Sequence, residues 1–203
     1  MTGESEETFR TEPGFADGGP RPYENPPLAS KSFGGFGFEK PYEGDTNDWL
    51  TPPRLVQMLG EFDLDPCACP GQPWKLAKKS YAPPDDGLKL PWEGRVFCNP
   101  PYGPNVKDWV LRMNEHRNGV LLIFSRTETE AWRWVWRTGD AFLFPVGRVS
   151  FYRPNGQRAK SGTAPSALVA YGQKNVIALR ECGIAGAFFE AVKIVGSVKA
   201  SSL

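Results

Sequence analysis

Histidine is nearly absent from this 203-residue chain, with His116 the only one. It falls at the end of an expected helix beside Arg117, where an imidazole is ordinarily solvated, and the chemistry developed below calls for none. Cysteine is scarce as well. Four thiols, at 67, 69, 98 and 182, are too few for a disulfide scaffold, and none has the C-x-x-C spacing of a zinc site. Reduced thiols and no bound metal are therefore expected. Long apolar runs are missing: stretches such as 120–124 fall far short of the roughly 20 residues that cross a bilayer. The start of the chain carries Glu4, Glu6 and Glu7 instead of a basic and then apolar stretch, so it does not read as a secretory signal. A cytoplasmic protein with no membrane partner is the default expectation.

Net charge is also nearly absent, at +1, but that value averages two opposite parts. Residues 1–48 hold ten acids and four bases, whereas residues 106–160 hold ten bases and five acids. The basic part could meet a phosphate backbone or could present scattered solvated arginines.

Glycine and proline are abundant, at 22 and 20 residues. Residues 1–46 mix them with Glu, Ser and isolated aromatics and show neither helical nor strand periodicity, which predicts a disordered arm. Residues 47–203 suffice for one catalytic domain. There the pattern predicts a helix opening at Thr51 and Pro52, strands over 62–65 and 95–98, a helix over 106–115, and a continuously apolar strand over 119–125. A Trp-rich helix over 128–137 and strands over 141–144, 148–152 and 166–171 follow. Trp132, Trp134 and Trp136 cannot all share one helix face, so at least one is expected to point outward. Alternating strand and helix, then consecutive strands, predicts an α/β Rossmann-like mixed sheet with an antiparallel edge.

Asn99, Pro100, Pro101 and Tyr102 stand just past an expected strand end, where open α/β sheets bind ligands. An exocyclic aromatic amine is a poor nucleophile because its lone pair is delocalised into the ring. A side-chain carbonyl from Asn99 and the main-chain carbonyl of Pro100 can accept its hydrogens and favour the pyramidal form. The prolines lock φ and remove competing donors. Tyr102 offers a flat face for a base swung out of the duplex. Placed acceptors, without a strong base, suit positive charge developing on nitrogen. These four are the expected catalytic residues.

Around this string, several words occur in order: W-L-T-P at 49–52, L-D-P-C-A at 64–68, D-D-G-L at 85–88, and G-R-V-F-C-N-P-P-Y-G at 94–103. They continue with S-R-T-E-T at 125–129, G-R-V-S-F at 147–151 and A-P-S-A-L-V at 164–169. Over residues 48–172 the chain resembles the phage and prophage DNA N-6-adenine methyltransferases, the Dam-like phage family. The resemblance implies a Rossmann-like methyltransferase fold, S-adenosylmethionine as donor and adenine in double-stranded DNA as acceptor. It places Thr51 and Pro52 near the methionine end of the cofactor, with Trp49 in the same binding set, and the loop carrying Asp65, Cys67 and Ala68 beneath the nucleoside. Asp86 would accept the cofactor's adenine amino hydrogens, with Asp85 as the alternative. One departure stands out, because D-P-C-A-C-P occupies the place of the Gly-rich F-x-G-x-G loop common among amino-methyltransferases.

Expected DNA contacts are Arg126, which could instead pair with Glu128, together with Arg148 and Arg153. Arg158 and Lys160 join them from the basic, amide-rich segment 152–163, the candidate recognition loop. The same motif would also serve cytosine N4, adenine in RNA or a glutamine side chain of a protein. A different class of reading is an inactive DNA-binding module with a methyltransferase fold.

Overall fold

The computed structural model describes residues 49–153, 157–158 and 164–191. The expected arm at 1–46 lies outside the described residues. So do Lys160 and much of the candidate recognition loop.

Seven strands form one sheet: β1 (Leu64–Asp65), β2 (Lys79–Ser80), β3 (Val96–Cys98), β4 (Gly119–Phe124), β5 (Ala141–Pro145), β6 (Ser166–Tyr171) and β7 (Gly186–Glu190). Their order across the sheet is β2-β1-β3-β4-β6-β5-β7. The pairs joining β2, β1, β3 and β4 are parallel, whereas β6 runs antiparallel between β4 and β5, and β7 antiparallel at the edge. The fold is therefore Rossmann-like and mixed, with one reversed strand inside the sheet as well as one at its margin.

Sequence explains the layers. Every residue of β4 is buried, with Val120, Leu122 and Phe124 facing one core and Leu121 and Ile123 the other. Period-2 alternation of wholly apolar residues is what a strand covered on both faces requires. The first face is covered by α1 (Pro53–Met58) through Val56 and by α4 (Gln173–Glu181) through Val176 and Leu179. The second is covered by α2 (Val106–His116) and α3 (Glu130–Thr138), through Trp109, Val110, Met113, Trp132 and Val135. Of the three tryptophans on α3, Trp136 faces outward, 40% exposed, while Trp132 is buried at 1%. Among the described residues no helix is long and apolar enough to cross a membrane.

Three expectations change. The predicted strand over 148–152 is absent as a ladder: Val149 and Phe151 are buried, but only Tyr152 pairs, antiparallel with Leu50. Its alternation signals which residues are buried, while the segment finds a backbone partner only at Tyr152 among the described residues. At the other end, β1 is shorter than 62–65 because the Asp63 carboxylate takes the Arg95 amide at 2.8 Å, where regular pairing would otherwise continue. The two-residue β2, helix α4 and edge strand β7 were not anticipated.

Candidate active site

The sheet reverses its winding between β1 and β3. From β1 the next strand is laid on one side, as β2; from β3 the next is laid on the other, as β4. Loops leaving the two carboxyl ends therefore diverge and leave a crevice, the position at which open α/β sheets bind ligands. D-P-C-A-C-P leaves β1 and N-P-P-Y leaves β3. Between them lies a cavity of about 340 Å³.

Asn99 is held from three directions. Its Nδ2 donates to Thr51 Oγ1 at 3.0 Å and to the Trp49 carbonyl at 3.4 Å, while its Oδ1 accepts from the Tyr102 hydroxyl at 3.2 Å. A carbonyl oxygen can only accept, so the Trp49 contact requires the amide nitrogen on that side and turns Oδ1 toward Tyr102. Burial holds the Tyr102 phenol protonated, well above its ordinary range, which keeps it a donor. One Oδ1 lone pair is thereby used and one is left. The Asn99 main-chain carbonyl accepts from Cys67 Sγ at 3.2 Å. Pro100 is buried, and no hydrogen bond to its carbonyl occurs among the described residues.

The segment bearing Trp49 and Thr51 is itself fixed by its neighbours. Leu50 exchanges two backbone hydrogen bonds with Tyr152, at 2.8 and 2.9 Å, and the Trp74 indole donates to the Thr51 carbonyl at 3.1 Å. Thr51 is 2% exposed and Leu50 fully buried. Pro52 stands at the N-cap of α1, outside the cavity lining.

On the opposite wall, Asp65 is a buried acid with no ion pair among the described residues. Loss of hydration pushes its carboxyl up to about 7, against the lowering from the Cys67 amide and thiol hydrogens. Cys67 lies with its sulfur 3.6 Å from that of buried Cys98, and burial followed by that neighbour raises its thiol well above the usual range. The Cys67 sulfur is therefore not placed as an ionised nucleophile. Ala68 completes this loop, its amide on the Tyr81 carbonyl at 2.9 Å.

Asp85 and Asp86 form the rim. The Asp86 carboxylate is occupied by its own turn, accepting from the Leu88 amide at 3.1 Å and pairing with Lys89 at 3.0 Å. Asp85 makes no such side-chain bond among the described residues. Gly87, which follows, packs so tightly on the loop after β1 that a Cβ there would be driven into the Pro66 carbonyl. The D-D-G-L and D-P-C-A-C-P loops are thus joined at a position where only glycine fits.

The cavity therefore brings together Asn99, Pro100, Pro101, Tyr102, Trp49, Thr51, Asp65, Cys67, Ala68 and Asp86, and leaves out Pro52. It adds Tyr81, Gly87 and Trp109, which sequence reasoning missed. Gly87 sat inside the quoted D-D-G-L word, whereas Trp109 fell within the expected helix over 106–115 with no motif to mark it.

Tyr102 differs from its expected role in one respect. Its ring lies 3.7 Å from that of Phe124 and within 6° of parallel, so one face is already covered. Beyond it a second cavity of about 340 Å³ is lined by Tyr102, Lys107, Phe124, Arg126 and Trp132. Arg126 is thus next to the N-P-P-Y loop. Arg148 is exposed, Arg153 is half-buried with its amide on the Gln157 carbonyl at 2.8 Å, and Arg158 donates to Ser150 Oγ at 3.0 Å. Tyr152 and Arg158 form a β-bridge, so the described part of the candidate recognition loop returns beside Tyr152, which itself pairs with Leu50.

Comparison with curated proteins and with solved structures returned no match. Residues 40–179 match the family described as DNA N-6-adenine-methyltransferase (Dam), which covers more than two thirds of the chain and the whole of the cavity described above. The chain belongs to that family.

Proposed function

We propose that this protein transfers a methyl group from S-adenosylmethionine to the N6 amine of adenine in double-stranded DNA. The observation that carries the reading is the orientation of Asn99. Its Oδ1 has one lone pair left, beside the Pro100 carbonyl with no hydrogen bond to it, at the edge of a cavity between β1 and β3. Two acceptors from adjacent residues suit the two hydrogens of an amino group.

The cavity's donor and acceptor set fits the cofactor. Asp65 is a buried carboxylate with no counter-charge among the described residues, and a ligand bearing an ammonium and a sulfonium supplies one. Ala68 and Gly87 keep the floor and rim close. Asp85 is the better-placed acceptor for the cofactor's adenine amine, because Asp86 is committed to Leu88 and Lys89. When bound, S-adenosylmethionine supplies an electrophilic methyl on sulfur.

The rest is done by the chain. Asn99 and Pro100 accept the amine hydrogens, which withdraws the nitrogen lone pair from conjugation with the ring and stabilises positive charge as the new bond forms, and the surplus proton is lost to solvent afterwards. Tyr102 donates to Asn99 Oδ1 and keeps it in register. Its ring, backed by Phe124, gives the base one open face for stacking. Arg126, Arg148, Arg153 and Arg158 supply phosphate contacts, which fix position without reading sequence.

Incubation with labelled S-adenosylmethionine and unmethylated duplex DNA, followed by digestion to nucleosides, tests the proposal. N6-methyladenine formed by the unmutated protein and not by Asn99→Ala is the expected result. Label on cytosine, on RNA only or on protein amide would replace it with the corresponding activity.

A further inference from the structure

The Thr51 hydroxyl touches both the catalytic amide and the cavity. Thr51 lines the cavity wall, is 2% exposed, and accepts from Asn99 Nδ2 at 3.0 Å. A hydroxyl has one proton and can either accept or donate toward an amide, so on its own it does not distinguish the two flips of Asn99. In the flipped amide, Oδ1 would accept the Thr51 proton and Nδ2 would face the Tyr102 hydroxyl. Only the longer 3.4 Å contact with the Trp49 carbonyl then opposes the flip.

An acceptor entering the cavity changes this balance. Once the Thr51 proton is donated to that acceptor, its oxygen can only receive from Asn99, and the flipped amide would set two oxygens against each other. We propose that Thr51 is a positioning residue that couples occupancy of the cofactor cavity to the orientation of Asn99. An anionic acceptor commits the hydroxyl and locks Oδ1 toward the target amine. The inference rests on the function proposed above, with the cofactor's carboxylate as the acceptor. Alignment of successive donors, Asn99 to Thr51 to carboxylate, also polarises the amide and makes Oδ1 a better acceptor. Cofactor binding thereby reinforces an orientation that the Trp49 carbonyl alone favours in the free protein.

Thr51→Val keeps the shape and removes the hydroxyl, whereas Thr51→Ser keeps the hydroxyl. Each is compared with the unmutated protein in three measurements: thermal unfolding of the free protein, the Asn99 side-chain amide pair in ¹⁵N spectra during titration with S-adenosylhomocysteine, and steady-state methylation. The amide pair is assigned by its loss in Asn99→Ala. In the unmutated protein and in Thr51→Ser it should move on titration and become protected from exchange with solvent. In Thr51→Val it should not. The expected rate change in Thr51→Val is a fall in kcat of about tenfold or more, with KM for DNA nearly constant and with recovery in Thr51→Ser.

The proposal is overturned by an unchanged kcat in a folded Thr51→Val, by the same amide response with and without the hydroxyl, or by a Thr51→Ser protein as slow as Thr51→Val. If the unmutated protein binds S-adenosylhomocysteine yet methylates no DNA, the functional reading fails and the amide response alone decides the coupling.

Discussion

The ring of Tyr102 lies flat on that of Phe124, 3.7 Å between centroids and 6° from parallel, and Phe124 in turn meets Phe151 edge-on at 6.2 Å. The Tyr102 ring is thus stiffened from behind by residues of β4 and of the segment leading to Tyr152, as the proposed stacking of a base on its other face requires. Phe124 is 9% exposed. Phe124→Leu should keep most of the buried area and lose the stack, lowering stability by about 1 kcal/mol, whereas Phe124→Ala should lower it by about 3 kcal/mol. Both should raise KM for DNA, the alanine more, as measured by thermal unfolding and initial methylation rates.

Asp65 predicts two opposite pH slopes. Its carboxyl is raised from 3.8 to about 7 by burial, so the folded protein holds a proton that the unfolded chain has lost between those values. Its contribution to the free protein's stability is present at low pH and is lost as pH rises toward about 7. A cationic cofactor prefers the ionised form. Its affinity should rise about tenfold per pH unit up to about 7 and then level off. Asp65→Asn should flatten both curves and weaken binding, as read by calorimetry with S-adenosylmethionine and by denaturant titration.

Gly87 joins the two cavity loops by contact with the Pro66 carbonyl. Gly87→Ala should force D-D-G-L away from D-P-C-A-C-P, weaken S-adenosylhomocysteine binding at least tenfold and lower the melting temperature. Gly103→Ala, with no atom within 4 Å of its added Cβ but with φ of +158°, serves as a comparison at open space near the same site. Equal cofactor affinity for Gly87→Ala and the unmutated protein would refute the packing argument.

Phosphate contact is testable through salt. If Arg126 and Arg158 each neutralise one phosphate, alanine at either position should lower the slope of log K against log salt by about one, with similar weakening on all duplexes. Arg126 is adjacent to the cavity beyond Tyr102, so Arg126→Ala should also reduce kcat. A slope unchanged by either substitution would return these arginines to ordinary solvated charge.

Much of the cavity-lining end of the sheet was legible in the sequence because its residues are local. N-P-P-Y and D-P-C-A-C-P each leave the end of an apolar strand, and strand ends can be read from hydrophobic pattern and proline placement. The all-apolar stretch of β4 likewise announces a strand covered on both faces. Less legible was β6 in its reversed place between β4 and β5, because strand order follows from which apolar surfaces meet, and pattern along the chain carries no such information. β2 and β7 were missed because their residues are mostly exposed, the former throughout, which leaves no alternation to read.

The amino-acid sequence by itself determined the chemistry available at the site: carbonyl acceptors after β3, a small-residue loop after β1, and a basic stretch in the second half of the chain. Tertiary structure alone decided which partner each group has. Tyr102 has one face covered by Phe124, and Thr51 is bonded across 48 positions to Asn99. Hydrogen bonds and stacks of that kind depend on distance in space, and those distances exist only once the sheet has set the ends of β1 and β3 side by side.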